Sequence, residues 1–295
     1  MPKLYHKRHK KRFYSIIKGM KKILAVSGGI DSVVMLHYLK DEKPIVAHFD
    51  HGIRPNSADD AKFVKRLADE YGLQFESKRA ELGEHCSEAN ARAARYDFLH
   101  GLAKKYDGVI CVAHHADDIL ESIAINLLRG TGWRGLAPMS AQGIERPLLK
   151  WRKSEIYRYA AKHSLSFHQD QTNTEGNYLR NRVREELKNL PENDKEKLLS
   201  LYSAQVALRR EFDSLMSSML DEEKIKTGSR QFIKSLPDEC APEVMRVWLE
   251  KNGIALTRPQ LKRCIDAVKG YAPGKRLSLD RKHFLEVGKY SFRVI

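Results

Sequence analysis

The sequence predicts an α/β fold: a doubly wound parallel sheet of Rossmann-like type, followed by a second, mainly helical domain. Three observations carry this. Short apolar runs without alternation, Ile23–Val26 and Val109–Ala113 among them, read as strands covered on both faces. Helical spacing follows the strand-like runs, at Ser32–Lys40, Ala58–Tyr71, Ser87–Lys105 and Asp117–Arg129. Beyond Pro191 this alternation gives way to a succession of helical patterns.

Taken in order, Ile23–Val26 runs directly into Ser27, Gly28 and Gly29, and the helix after them begins at Ser32. Two adjacent glycines let the backbone turn sharply and approach a ligand closely. A helix N-terminus there offers unpaired amides to an anion. Asp31 stands where a carboxylate holds Mg²⁺ against phosphate oxygens; the plainer reading is a tight turn in which Asp31 and Ser32 act as caps. Pro44–Asp50 reads as a second strand and His51–Ser57 as the loop at its end. Gln74–Lys78 is a short third strand, and Ser87 caps the helix after it. The SGG turn, His51 and His114 all fall at strand carboxyl ends, where ligands of such sheets bind. Gly130–Pro147 reads as an ordered loop, Ser154–His163 as a short helix, His168–Asn181 as a polar loop and Val183–Leu190 as a helix. Pro191–Asp194 marks a boundary, followed by helices at Lys195–Leu220, Ala241–Lys251 and Arg258–Lys269 and a weak β-hairpin over Arg276–Ile295. The expected organisation is a basic arm (1–21), a catalytic domain (22–190) and a mainly helical substrate-binding domain (191–295).

Composition narrows the function classes. A formal net charge of +15 over 295 residues and a pI near 9.6 point to a polyanionic partner, nucleic acid first. Cys86, Cys111, Cys240 and Cys264 are widely spaced without a CxxC pair, which argues against an iron–sulfur cluster, a zinc ribbon or a disulfide framework. Reduced thiols and a cytoplasmic setting are the simplest expectation. There is no run of eighteen apolar residues to span a membrane, and the basic N-terminus lacks the apolar stretch of a secretory signal.

Three further blocks carry candidate chemistry. In Glu88–Tyr96 (EANARAARY), Glu88 precedes Arg92 by four, which suits a surface ion pair or an arginine reaching a phosphate. In Ala113–Ser122 (AHHADDILES), Asp117 and Glu121 are four apart and Asp118 and Glu121 three apart, so two carboxylates can share a helical face and suit a cation, while His114 and His115 can contact a phosphate or move a proton. Acids in a first helical turn also simply complement the helix dipole. In Asn177–Arg184 (NYLRNRVR), the arginines around Asn181 and Tyr178 suit phosphates or bases, or a solvated helix end.

The turn is neither a GKS/GKT P-loop nor a GxGxxG. AVSGGIDS resembles the PP-loop of the N-type ATP pyrophosphatases. Together with HFDHGIRPNSADDAKFV, EANARAARYDFL, AHHADDILES, LLRGTGWRGLAPM, RPLLKWRKSEI and NYLRNRVREEL, it resembles the tRNA(Ile)-lysidine synthetase family from Lys22 to about Leu190. The later region, ending in LSLDRKHFLEVGKY, resembles that family's next domain more faintly, and the overall length resembles its short form. Two departures stand in the acidic helix, where the family's DDQxET is replaced by Ile119 and Ser122.

The resemblance implies conversion of the wobble cytidine of CAU-anticodon tRNA(Ile) to lysidine, using ATP and L-lysine. Ser27, Gly28, Gly29, Ile30, Asp31, Ser32 and His51 would bind ATP, with Asp31 on Mg²⁺. The cytosine O2 would attack the α-phosphate, and the lysine ε-amine would then displace AMP. Arg92 and His114 would stabilise charge on that phosphate. Asp118 and Glu121 would bind lysine, and Arg180, Asn181, Arg182 and Arg184 would face tRNA. The rivals are a PP-loop enzyme that thiolates a tRNA base, which commonly needs cysteines in a pattern absent here; a tRNA-binding module with an inactive ATP fold; and a small-molecule ligase, which would not explain the charge.

Overall fold

Neighbouring residues of each central strand are buried on opposite faces, and this decides the layering. In β1 (Lys21–Ala25) Leu24 joins one core and Ile23 the other; in β2 (Ile45–Asp50) Val46 and Ile45 divide likewise, and in β4 (Gly108–Cys111) Cys111 and Ile110. On the first face these residues meet α1 (Ile30–Leu39), α2 (Ser57–Glu70) and α5 (Lys153–Lys162), through Val33, Leu36, Val64, Leu67 and Ile156. On the other face Leu99 and Leu102 of α3 (Glu88–Tyr106) complete the cover. A strand buried on both faces has no polar side to alternate with, which is why these segments are continuous apolar runs.

The structure, a computed structural model, describes residues 20–52, 57–80, 87–140, 143–168, 178–219, 227–280 and 282–295. The chain forms two compact units, Met1–Ser203 and Ala204–Ile295. Residues 1–19 of the basic arm, 53–56 of the loop after β2, Cys86 and residues 169–177 lie outside the described residues.

The sheet of the first unit runs β3-β2-β1-β4-β5, every pairing parallel, with β3 at Gln74–Arg79 and β5 at Ile144–Glu145. β1 has β2 on one side and β4 on the other, so the strand order reverses there and opens a crevice beyond the carboxyl ends of β1 and β4. β5 corrects the expected loop over Gly130–Pro147: two residues pairing with Ile110 and Cys111 are too few to show a period. α4 (Ala116–Leu128) follows β4, and α6 occupies Tyr178–Asn189. α1 begins at Ile30 rather than Ser32, because Gly29 in extended conformation is its N-cap and Ile30 is already buried. α6 begins at Tyr178 rather than Val183, so Arg180 and Asn181 are helical. Its first turn packs through Arg180 rather than an apolar residue, and an apolar-periodicity reading picks up the helix only from buried Val183.

α7 (Glu192–Met219) contains the division between the units, which falls after the boundary expected at 190. In the second unit α8 (Arg230–Ser235), α9 (Ala241–Lys251) and α10 (Arg258–Gly270) share a core with a small antiparallel sheet. The sheet order is β6-β9-β8-β7, with β6 at Thr227–Ser229, β7 at Arg276–Ser278, β8 at Phe284–Val287 and β9 at Ser291–Val294. The expected hairpin is thus extended by β7 on one side and by β6, which pairs with β9 across a long stretch of chain, on the other.

Candidate active site

The turn after β1 is pinned from inside by Ser32. Its hydroxyl accepts from the amides of Ser27 and Gly28, each at 3.2 Å, and donates to the Gly29 carbonyl at 2.8 Å. Gly28 has φ +96°, so a side chain there is strained whatever the space. Gly29 is different. Its φ of −74° suits any residue, and an added Cβ would meet only Ser27 Oγ at 3.7 Å. No neighbouring protein atom excludes a side chain at position 29, whereas a ligand seated close against the backbone would. α1 also lacks a side-chain cap, leaving the dipole end and first amides of the helix for an anion. Ile30 contributes backbone only, its side chain being in the core.

A second segment braces this turn. The His168 amide donates to the Gly28 carbonyl at 3.0 Å. Its ring lies 2.5 Å from Asp60 Oδ1 and stacks on Phe63, with centroids 4.3 Å apart. Sequence reasoning left His168 in a loop, because a single isolated bridge has no pattern.

The acid-rich start of α4 meets the turn through His115. This buried ring places Nε2 3.8 Å from Asp31 Oδ1 and 3.6 Å from Asp118 Oδ2, and its Nδ1 has no hydrogen-bond partner. Asp118 accepts from the His115 amide at 2.8 Å. Adjacent Asp117 is spent on architecture: Arg152 Nε and the Lys153 amide donate to its two oxygens at 3.0 and 2.7 Å, fixing the start of α5. Asp31 Oδ1 in turn lies 2.6 Å from Lys153 Nζ.

Glu121, expected as an open carboxylate beside Asp118, is buried with both oxygens engaged. Arg180 Nε donates to one at 3.1 Å and Arg184 Nε to the other at 2.6 Å. Burial works against the Arg184 charge, but Glu121 more than offsets it and the guanidinium pKa is raised. The expected basic group therefore divides: Arg180 and Arg184 turn onto Glu121, while Arg182 is exposed. Ile119, the departure from the family motif, is buried, so the missing amide is replaced by core packing.

Facing this acidic side is a group of cations. His114 is pushed down to about 4, by burial first and then by Arg146, Arg92, Arg95 and His115, so it is neutral at pH 7. Its Nδ1 is buried without a partner. Arg146 gives Nη1 to the Ile144 carbonyl at 3.0 Å, while its buried Nε is unpartnered and burial lowers its pKa. Arg92 is exposed and lies over the Tyr96 ring at 4.8 Å. His51, at the end of β2, has its pKa lowered by burial and then by Arg95, and its Nδ1 is also unpartnered. Arg146 was absent from the sequence-derived site. Its place in RPLLKWRKSEI, immediately after β5, was the available signal. Buried donors without partners beside several positive charges make an anion site.

Comparison with known proteins agrees. The profile of the PP-loop domain family matches residues 3–190. Relatives include a tRNA(Ile)-lysidine synthase of Thermotoga maritima, 37% identical over 55% of this chain and 43% of that protein. A synthase of the same name from Neisseria meningitidis serogroup B is 38% identical over 60% and 44%. A bifunctional protein TilS/HprT of Listeria monocytogenes serotype 4b is 34% identical over 71% and 36%. The chain spans less than half the length of these curated relatives. Among solved structures, the U34-tRNA thiolase NcsA from Methanococcus maripaludis shares the fold, with TM-score 0.55 and 17% identity over 70% of this chain and 80% of that one. With the family profile covering more than half of its residues and the glycine turn, reversed strand order and acidic helix in place, the chain belongs to the PP-loop domain family, an ATP-binding fold.

Proposed function

We propose that this chain ligates L-lysine to C2 of the wobble cytidine of CAU-anticodon tRNA(Ile), through an adenylated base, releasing pyrophosphate and then AMP. One observation carries the reading. His115 lies within 4 Å of both Asp31 and Asp118 and so joins the phosphate turn and the acidic helix into one site. A site of that kind accommodates a nucleotide and a cationic amine side by side.

In this reading each group takes the part that its place suits. Ser27–Ser32 receives ATP through backbone amides, with His51 at the neighbouring strand end. Among the described residues no group of three His, Cys, Asp or Glu could hold a metal. Asp31 would hold Mg²⁺ by a single carboxylate, which suits an ion that is commonly bound by one or two protein carboxylates. When bound, it screens the charge of the triphosphate. Arg92, Arg146 and neutral His114 donate hydrogen bonds to the α-phosphate oxygens, where charge grows as the cytosine O2 attacks. Adenylation turns that oxygen into a good leaving group. Asp118 takes the lysine ammonium, whose ε-nitrogen must lose one proton before attacking C2 and a further one once the C–N bond has formed. Glu121 holds Arg180 and Arg184 in place beside it, and Arg182, Asn181 and the basic arm contact tRNA phosphates. The cytoplasm, where tRNA is matured, suits this reaction, and among the described residues no helix is long and apolar enough to cross a membrane.

Two of the three described thiols speak against the thiolase alternative, Cys240 being exposed. Cys111 and Cys264 are buried, and burial raises both pKa values, that of Cys264 to about 11. The direct test is ATP-dependent incorporation of labelled lysine into CAU-anticodon tRNA(Ile), with elongator tRNA(Met) as control. Label on the isoleucine tRNA alone is expected. Pyrophosphate release without label would keep the adenylating site and replace the nucleophile.

A further inference from the structure

The glycine turn has no lysine of its own, yet the structure supplies one from a segment more than a hundred residues away. Lys153 Nζ lies 2.6 Å from Asp31 Oδ1, at the first turn of α1. Its backbone is fixed, since the Lys153 amide donates to Asp117 at 2.7 Å and Arg152 holds the same carboxylate. The side chain is less constrained: it is one-third exposed, and its ammonium also lies 5.4 Å from the centroid of the Tyr157 ring. Lys153 is the first residue of α5, preceded by Arg152 as N-cap. Two basic residues at a helix N-terminus oppose the helix dipole. A local preference broken in this way, beside the turn, needs a compensating role.

We propose that Lys153 is a phosphate-contacting residue, whose ammonium pairs with Asp31 and passes to the terminal phosphates when ATP binds. This rests on the reading of Ser27–Ser32 as a phosphate turn. The long flexible stem of lysine suits such a transfer, because its compact charge can turn between two anionic partners without backbone movement. Once metal occupies Asp31, the ammonium has lost its partner and the triphosphate offers the nearest new one. As pyrophosphate forms, the same ammonium stays with the leaving group. Lys153 thereby does from the start of α5 what a P-loop lysine does from within its own turn.

A double-mutant cycle separates this role from a plain ion pair between helices. Pyrophosphate binding is measured by calorimetry, without divalent metal, for the wild type, Asp31→Asn, Lys153→Met and the double variant. If Lys153 touches phosphate, Asp31→Asn frees it and tightens binding about tenfold, and adding Lys153→Met removes that gain and weakens binding at least tenfold further. Lys153→Arg should retain most of the affinity, which guards against a folding artefact. Equal affinity of Asp31→Asn and the double variant overturns the proposal and leaves Lys153 as a helix-to-helix ion pair. Failure of the wild type itself to bind pyrophosphate, with or without Mg²⁺, overturns the phosphate turn and this proposal with it, a pattern distinct from the first.

Discussion

Arg230 in the second unit is buried and Arg146 in the first is half-buried with its Nε shut off from solvent, and the two are used in opposite ways. Arg230 has no carboxylate among its hydrogen-bond partners. Its Nε donates to the Val268 carbonyl at 2.7 Å, Nη1 to Gly288 at 3.0 Å, and Nη2 to Tyr271 at 2.5 Å and Lys269 at 3.5 Å. Three of those carbonyls lie in the last turn and C-cap of α10, so a guanidinium from α8 satisfies the helix end and complements its dipole. Arg146 makes one carbonyl bond and leaves Nε buried and unpartnered beside His114 and Arg92. A buried cation with its donors satisfied by backbone is architecture. One with a donor unspent, among other cations, awaits an anion.

This contrast is open to direct attack. Arg146→Ala should lower kcat/KM for ATP-dependent pyrophosphate release by roughly 100- to 1000-fold, the usual loss for a donor to developing charge. Its melting temperature should move little; a large fall in stability with activity preserved would assign Arg146 to the scaffold. Arg230→Met should behave in reverse. Stripping a charged donor from several buried carbonyls costs about 3 kcal/mol or more, seen as a lower urea midpoint, while ATP–pyrophosphate exchange by folded protein stays near wild type.

The smallest effect concerns His114. Its folded pKa, about 4, lies below its ordinary value of 6.5, so between those values the unfolded chain binds a proton that the folded chain refuses. Stability from this group is complete above about 6.5 and lost as the pH falls toward about 4. His114→Asn should flatten that part of a plot of melting temperature against pH. Bound pyrophosphate should raise the His114 pKa, measurable by NMR of the ring; a ring that titrates near 6.5 in the free protein would separate it from burial and from the neighbouring arginines.

Much of the first unit was legible because doubly buried strands must be apolar throughout: Ile23–Val26 and Val109–Ala113 announced themselves that way, and SGG followed by an apolar helix marked the turn. Ser87 was read correctly as a cap, its hydroxyl accepting from the Asn90 amide at 3.2 Å. What escaped was structure made by few residues or by charges. β5 is two residues long, and the first turn of α6, missed ahead of Val183, sets Arg180 against Glu121 where an apolar residue would have shown. β6 pairs with β9 from more than sixty positions away, and no local pattern encodes a partner so distant.

The same division holds within the site. Asp117 and Asp118 are chemically identical neighbours, each 3.6 Å from the His115 ring, yet Asp117 braces α5 while Asp118 caps its own helix by accepting from the His115 amide. Sequence by itself determined the doubly covered strands, the long helices and the glycine turn that opens α1, because those follow from burial periodicity and the conformational freedom of glycine. Only the tertiary structure decided that Glu121 would be closed by two arginines, that Arg146 would join His114, and that Lys153 would reach Asp31. Charge pairing depends on distances between elements far apart in the chain, and those distances exist only once the sheet has assembled.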